Sequence, residues 1–416
     1  MGGSRPEPAA GIPTSEPELA VDHLAAAHQE IDRASDALIA LSHAIHADAE
    51  VGFEEHTSSR RVAEALAAGG FDVQHGAAGL DTAVIAESGS GPLTVSICAE
   101  YDALPGIGHA CGHNIIAAAA VGAGLALAPL ADELGLTVRV LGTPAEEGGG
   151  GKILMLRAGS FDGTNLAMMV HPSPYESSRM PCLAVQHFDV RFTGVSAHAS
   201  AYPQLGINAA DALTVAQVAI GLLRQHIRPT DRIHGIVTDG GDAPNIVPER
   251  TGGQWYARAA TLDQLAELYP RVQACFEAGA LATGATVHFD EPGPAYSEFD
   301  HDEELIALWE REASAIGRVF PTEPQDPNLA GSTDMANVSL GMPTIHPMLA
   351  LETHGAVNHQ PEFTAACITA DADRAVLEGA LAMARTTIAA ALDEHTRHRL
   401  LARSYLAADD ERLASV

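Results

Sequence analysis

His109-Ala110-Cys111-Gly112-His113-Asn114 is the stretch from which the rest of the chain is read. It places a thiol and two imidazoles within five residues, directly ahead of an apolar, helix-like run over 115–127. Thiolate and imidazole are the side chains that hold zinc best, and Cys-x-His on one turn lets both reach one ion or one ion pair. With 20 His but only 5 Cys in 416 residues, this clustering points to a site. The alternative is a turn whose thiol packs inward and whose imidazoles sit in water. An acidic pair further along the chain tips the balance toward a site.

Working outward, 93–98 reads as a strand that runs into Glu100-Tyr101-Asp102-Ala103-Leu104-Pro105. In open α/β sheets the carboxyl ends of strands are where ligands sit, so Asp102 is a candidate to accept a hydrogen bond from a metal-bound imidazole and fix its tautomer. Capping the turn is its other reading. A strand over 136–141 leads to Thr143-Pro144-Ala145-Glu146-Glu147 and then four glycines, Gly148 to Gly151. One of two adjacent carboxylates can bind a cation while its neighbour takes and returns a proton. An exposed acidic pair before a flexible glycine linker is the alternative. A third strand, 166–170, delivers His171-Pro172, so three successive strand ends carry ligand chemistry.

Helical periodicity over 19–49 predicts one or two amphipathic helices, and a second helix over 58–68 ends at Gly69-Gly70. Strands follow at 71–73 and 82–85, so helix and strand alternate, which predicts an α/β fold with a central sheet. At 416 residues and 46% hydrophobic content the chain has material for two cores. Its formal net charge of −31 repels phosphate backbones and anionic head groups, which excludes nucleic acid and membrane partners from the expected set. Five cysteines without a pairing pattern argue against a disulfide framework and for a reducing compartment, the cytoplasm. Residues 1–18 have no apolar signal core and read as a disordered tail, and no later stretch reads as long and apolar enough to span a bilayer.

Together, Asp102-Ala103-Leu104-Pro105, His109-Ala110-Cys111-Gly112-His113, Pro144-Ala145-Glu146-Glu147 with its glycines, and the strand-end His171 resemble the zinc amidohydrolase family called peptidase family M-twenty. That family includes aminoacylases, glutamate carboxypeptidases and plant indole-acetyl-amino-acid hydrolases. The upstream Ile45 to Glu55 stretch resembles its first-helix signature. The resemblance implies a central-sheet metallohydrolase domain over 19–185 and 293–416, with a smaller α/β lid, or dimerisation, domain inserted over 186–292. Within the lid, strands are expected at 185–193, 233–237, 255–259 and near 286–289, with helices at 209–226 and 262–280. A helix over 302–316 and a strand-like Thr344-Ile345-His346 then return the chain to the first domain, and a helical scaffold over 370–406 closes it.

By the same resemblance, Cys111, His113, Glu147, His171 and His359 would hold one or two divalent ions, zinc first, with manganese or cobalt as substitutes. His359 is preferred to His354 because Val357-Asn358-His359-Gln360-Pro361-Glu362-Phe363 carries the family's closing spacing, although either imidazole could reach the site from this loop. Glu146 would be the general base, taking a proton from the attacking water and returning it to the leaving amine. His198, from a partner subunit of a homodimer joined through the lid, and Asn245 would stabilise the oxyanion or hold the substrate carboxylate. Asn114 stands where much of the family has Asp, a variant that resembles the branch of aminobenzoyl-glutamate hydrolase and β-alanyl-dipeptide hydrolases, and it is expected beside the ligands with Asp102. The expected reaction is hydrolysis of the amide bond of an N-acyl amino acid or dipeptide-like small molecule with a free carboxylate. A true dipeptidase is the rival enzyme. A metal-binding scaffold that has lost activity is the remaining possibility, disfavoured because a scaffold has no use for Glu146 beside Glu147.

Overall fold

The computed structural model describes residues 16–321 and 330–410. Among these, the strands are β1 (Asp72–His75), β2 (Val84–Gly89), β3 (Leu93–Glu100), β4 (Leu136–Thr143), β5 (Leu166–Met168), β6 (His171–Ser173), β7 (Ala184–Thr193), β8 (Arg232–Asp239), β9 (Arg250–Ala259), β10 (Thr286–Asp290), β11 (Thr344–Ile345) and β12 (Met348–Ala350). Six of them form the central sheet in the order β1-β2-β4-β3-β5-β11. β4, β3, β5 and β11 run parallel, while β1 and β2 add an antiparallel edge. A short parallel pair, β6 with β12, continues from the carboxyl ends of β5 and β11.

Parallel strands need both faces covered, and their side chains show it. Val138 and Val140 of β4 join one core with Leu38 and Ile45 of the first helix, Val121 of the helix His113–Leu127 and Ala380 of the helix Ala370–Leu392. Leu141, on the opposite face, joins a second core with Met155, Phe161, Met169 and Met335. The predicted one or two helices over 19–49 are a single helix, Glu16–Asp48, which ends where Ala49 turns left-handed at φ 45°. Of the tail predicted over 1–18, residues 1–15 lie outside the described residues and the last three are helical. The expected scaffold over 370–406 divides at Asp393, whose side chain accepts from Thr396 N at 2.8 Å and starts a separate helix, Glu394–Leu401.

One expectation is corrected. Two helical stretches, His113–Leu134 and Ala370–Leu392, are long and apolar enough to cross a bilayer by composition. Their apolarity serves the core instead, since 83% and 72% of those windows are buried within the protein. An apolar run of this length in a folded α/β domain can face protein on all sides, and alanine-rich helices pack closely enough to do so.

The inserted part is an antiparallel sheet in the order β10-β7-β9-β8, covered on one face by the helices Ala209–Leu223 and Leu262–Thr283. Its own core gathers Phe188, Val190, Phe192, Trp255 and Phe276. Asn208 caps the first helix by accepting from Ala210 N at 2.9 Å, and Thr261 caps the second through Gln264 N at 3.2 Å. The first ends at Leu223, short of the predicted 226, because Arg224–His226 tightens to a 3-10 turn. The chain leaves and re-enters the central-sheet domain side by side, with Val185 and Tyr296 exchanging both backbone hydrogen bonds at 3.0 Å.

Candidate metal centre

The loop that opens the centre depends on Gly112. It adopts φ +76°, and a Cβ there would lie 2.8 Å from Pro172 Cγ and 3.2 Å from Cys367 Sγ, so glycine lets Cys111 and His113 close onto the strand end that carries His171. His359 arrives on a loop whose own N–H donates to the Ala110 carbonyl at 3.0 Å, with a left-handed backbone at φ 69°. Three groups of donor atoms result: Cys111 with His113 and His171, Cys111 with Glu147 and His359, and Glu100 with His113 and Glu146. In each group the atoms lie within 4.8 Å of one another. Cys111 and His113 are shared between groups, so this is one continuous centre. His354 lies outside it, with its side chain 89% exposed and 3.3 Å from Glu352. His109, the other imidazole of the opening stretch, turns to the scaffold and donates from Nε2 to the Ile45 carbonyl at 3.0 Å.

Asp102 orients two members of the centre at once. Its Oδ1 is 3.0 Å from His113 Nδ1, its carbonyl oxygen is 2.8 Å from the same nitrogen, and its Oδ2 accepts from Glu147 N at 3.0 Å. The proton of His113 therefore sits on Nδ1. Nε2 is the nitrogen left to face the centre, and it is buried without a hydrogen-bond partner among the described residues. Asn114 contacts the scaffold, its amide donating to Ser42 Oγ at 2.9 Å and to the Cys367 carbonyl at 3.0 Å.

The turn that carries Glu146 and Glu147 is fixed from several sides. Ala145 is held left-handed at φ 55°, its N–H donating to buried Glu55 at 2.8 Å. Tyr296 donates its hydroxyl proton to the Glu146 carbonyl at 2.6 Å and accepts from Gly150 N at 2.9 Å. The glycine run is a packed turn, not a linker: a Cβ on Gly151 would lie 1.8 Å from the Pro144 carbonyl oxygen. Burial, with Asp102 nearby, pushes the Glu55 carboxyl up to about 7.

The electrostatics fit a cation. Burial, then Glu147 and Glu146, push the Cys111 thiol well above its usual range, and only a positive ion in the centre reverses that surrounding and yields the thiolate. Burial holds His171 down to about 4, in the neutral form that binds metals, and its Nδ1 donates to the Pro172 carbonyl at 2.7 Å. For His113, burial opposes the charged form but Asp102 and Glu100 outweigh it, raising it well above the ordinary imidazole range. Burial, then Glu100 and Glu147, raise Glu146 well above the usual carboxylate range, and a bound cation would offset the part due to those neighbours. Thiolate, imidazole and carboxylate donors around an unpartnered imidazole nitrogen suit zinc.

His198 and Asn245 are brought together on adjacent lid loops, where Ala199 N donates to the Asn245 carbonyl at 3.0 Å. Both are exposed, and neither joins the ligand groups. His198 Nδ1 accepts from Ser200 N at 3.3 Å and Ala201 N at 3.2 Å, so its proton is on Nε2, available to a ligand.

Three groups were not anticipated from the sequence. Arg258 of β9 is half-buried, donates to Ser332 Oγ at 2.6 Å and lies 5.7 Å from the Tyr256 ring centre, yet pairs with no carboxylate among the described residues. Glu100 and Lys152, both fully buried, pair with each other behind the centre at 2.6 Å. Lys152 left a signal that was there to be read, because it is the only lysine in the chain.

The sequence pattern of Peptidase family M20/M25/M40 matches residues 96–385. The chain is similar to Xaa-Arg dipeptidase of Mus musculus, 38% identical over 382 residues that cover 87% of each chain. It is also similar to one component of the p-aminobenzoyl-glutamate hydrolase of Escherichia coli, 29% identical over 417 residues, covering 83% of this chain and 87% of that one. Among solved structures, a Klebsiella pneumoniae aminobenzoyl-glutamate utilization protein superposes with a TM-score of 0.69 at 19% identity, covering 86% of this chain and 97% of that chain. A Bacillus subtilis protein described as a dinuclear metal binding peptidase from the M20 family superposes with a TM-score of 0.64 at 20% identity, covering 86% and 98%.

Proposed function

The chain belongs to peptidase family M20/M25/M40, and from that membership we propose how its centre works. The protein is a metal-dependent amidohydrolase that acts on C–N amide bonds. The observation that carries the reading is the convergence of two donor groups on Cys111, one with buried His113 and His171 and one with Glu147 and the exposed His359, with the carboxylate of Glu146 beside them. Those five residues would hold one or two ions, zinc being the expected metal, with manganese or cobalt as substitutes. When bound, a divalent ion would polarise the amide carbonyl and lower the pKa of a water to about 7.

Glu146 takes the proton of the attacking water and delivers it to the leaving nitrogen, a role suited to a carboxyl that burial keeps basic. Its Oε2 lies 3.9 Å from His113 Nε2, so base and expected ligand stand side by side. The Tyr296 hydroxyl and the Glu55 carboxylate keep the turn in place while the proton moves. Arg258, which pairs with no carboxylate among the described residues, supplies a guanidinium for a free substrate carboxylate, and the side chain of Asn245 adds donors. His198, with its proton on Nε2, donates to the oxyanion of a neighbouring subunit.

The partner is a second copy of the chain. The helix Ala209–Leu223 exposes Val218 and Leu222 at 60% and 70%, and the sheet-edge strand β8 exposes Ile236 at 62%. Arg224, just beyond that helix, donates to the Ile233 carbonyl at 2.7 Å, so both apolar surfaces lie on one edge of the lid. An unpaired strand edge beside an apolar helix face is the kind of surface that a two-fold dimer covers. Free cysteines at Cys98, Cys111, Cys182, Cys275 and Cys367 support a reducing, cytoplasmic setting.

The relatives' names make a dipeptide ending in arginine the first substrate to try, with p-aminobenzoyl-glutamate second. The test is a panel with metal-loaded protein: unblocked dipeptides ending in Arg, Lys or Glu, N-acyl amino acids, p-aminobenzoyl-glutamate, and the C-terminal amide of each substrate found. Cleavage of a free-acid substrate and at least about tenfold slower cleavage of its amide are expected. Loaded protein inert on the whole panel would favour the scaffold reading, and equal rates on acid and amide would remove the carboxylate role of Arg258.

A further inference from the structure

Behind the centre lies a buried ion chain that the five expected ligands do not use. Glu100, Lys152 and Asp334 are each at 0% exposure. Lys152 Nζ is 2.6 Å from Glu100 Oε1 and 2.7 Å from Asp334 Oδ1, and the Lys152 backbone N–H donates to Asp334 Oδ2 at 2.9 Å. Two carboxylates and one ammonium leave one negative charge over. It faces the centre through Glu100 Oε2, which has no hydrogen-bond partner among the described residues.

That oxygen is 3.3 Å from His113 Nε2, the nitrogen that faces the centre. Glu146 and Glu147 stand further from the same nitrogen, at 3.9 and 4.0 Å. Two ligands bound tetrahedrally to one zinc ion at about 2.1 Å are separated by about 3.4 Å. A buried carboxylate oxygen and an imidazole nitrogen at this distance repel unless a proton or a cation lies between them, and a bound ion would take the proton's place. We propose that Glu100 is a further ligand of the ion held by His113, and that Lys152 and Asp334 are positioning residues that aim it. This rests on the reading of the centre as a metal site.

Composition supports the positioning role independently. Of 23 basic residues, 22 are arginine, so the chain uses arginine almost wherever it needs a positive charge. Its one lysine is the residue between Glu100 and Asp334. A compact ammonium fits between two carboxylates in a closed space, where a planar guanidinium does not. Attachment of the helix Gly151–Arg157 to Asp334 is already secured by the Lys152 backbone N–H, so the side-chain charge is left to act on Glu100.

The test compares full-length wild type, Glu100→Gln and Lys152→Met, each stripped with a chelator and reloaded with zinc or cobalt(II). Ions per chain, affinity by chelator competition, the visible cobalt spectrum and the melting of each metal-free form are measured. Glu100→Gln leaves Lys152 and Asp334 as a neutral pair and is expected to fold. It should lose one ion per chain or bind it at least about tenfold more weakly, with an altered cobalt spectrum. Lys152→Met should weaken binding in the same direction. If Glu100→Gln does not fold, Glu100→Asp keeps the charge but withdraws the oxygen by one methylene, and the same losses are expected. A folded Glu100 variant with wild-type stoichiometry, affinity and spectrum overturns this inference alone. Wild type that takes up no metal overturns the reading of the centre as well.

Discussion

Asp102→Asn gives the sharpest check on how the centre is held together. In the structure the two carboxylate oxygens have separate tasks, Oδ1 at 3.0 Å from His113 Nδ1 and Oδ2 accepting from Glu147 N at 3.0 Å. Asparagine has one oxygen, so one of these donors must face an NH2 group. The lost bond is charge-assisted and buried, worth about 1.5–3 kcal/mol. At about 1.4 kcal/mol per decade this is on the order of 10- to 100-fold in metal affinity, since both donors belong to ligand residues. Chelator competition on wild type and variant measures the affinity, with melting of the metal-free proteins as the control for folding. The change also removes the charge partner of buried His113, so the metal-free variant should melt lower than the metal-free wild type, and affinities are compared at a temperature where both are folded. Unchanged metal affinity in a folded variant would show that Asp102 does not orient the ligands, and the tautomer assigned to His113 would lose its basis.

Glu146→Gln should keep its metal while activity falls by about 100-fold or more, because it removes a proton acceptor and spares the ligand set; loss of metal would place Glu146 among the ligands. Glu147→Gln and His113→Ala should both lower metal occupancy, measured by elemental analysis, and full loading of either would break the ligand set. Tyr296→Phe removes the hydroxyl shared by the Glu146 carbonyl and Gly150 N–H, each of which keeps a backbone bond, and should cost about 1–3 kcal/mol of unfolding free energy, read from denaturant titration, together with a fall in kcat at similar KM. Light scattering should give a dimer mass for the wild type and a monomer mass after the double change Val218→Asp with Leu222→Asp, which places two charges on the exposed helix face; a monomeric wild type would refute the proposed dimer, and a dimer that survives the charges would move its interface elsewhere. Mixing His198→Ala with Glu146→Gln subunits, each inactive alone, should restore activity once exchange of tagged chains is demonstrated, because some heterodimers then hold one site with both groups intact. Exchange without recovery would return His198 to its own subunit.

Much of the architecture was legible in the sequence because it rests on short-range physics. Alternating helix and strand periodicity, with glycines at the turns, was enough to specify an α/β protein with ligand chemistry at strand ends. Segment boundaries moved where hydrogen bonding decided them, as at Leu223, where a tighter turn takes over, and at Asp393, where a side-chain cap splits one expected run into two helices. The misread membrane-length helices show the limit of hydropathy, which records how apolar a helix is and not whether lipid or protein surrounds it.

Within the centre, Cys111, His113, Glu147 and His171 each stand beside a glycine, a proline or a strand end that marks them locally, whereas His359 and the assignment of all five as ligands came from the family resemblance. Sequence could not say that Oδ1 and Oδ2 of Asp102 serve different ligands, or that Tyr296 reaches across 150 positions to hold Glu146. Nor could it pair Lys152 with Asp334, 182 positions away, or leave Arg258 without a carboxylate among the described residues of a chain of net charge −31. Local pattern fixes which side chains a segment presents, since backbone geometry repeats over two to four residues. Which charges end up facing one another in the interior is decided only when the sheet and the inserted domain bring distant segments together, because electrostatic partners are chosen by distance through space and by exclusion of water.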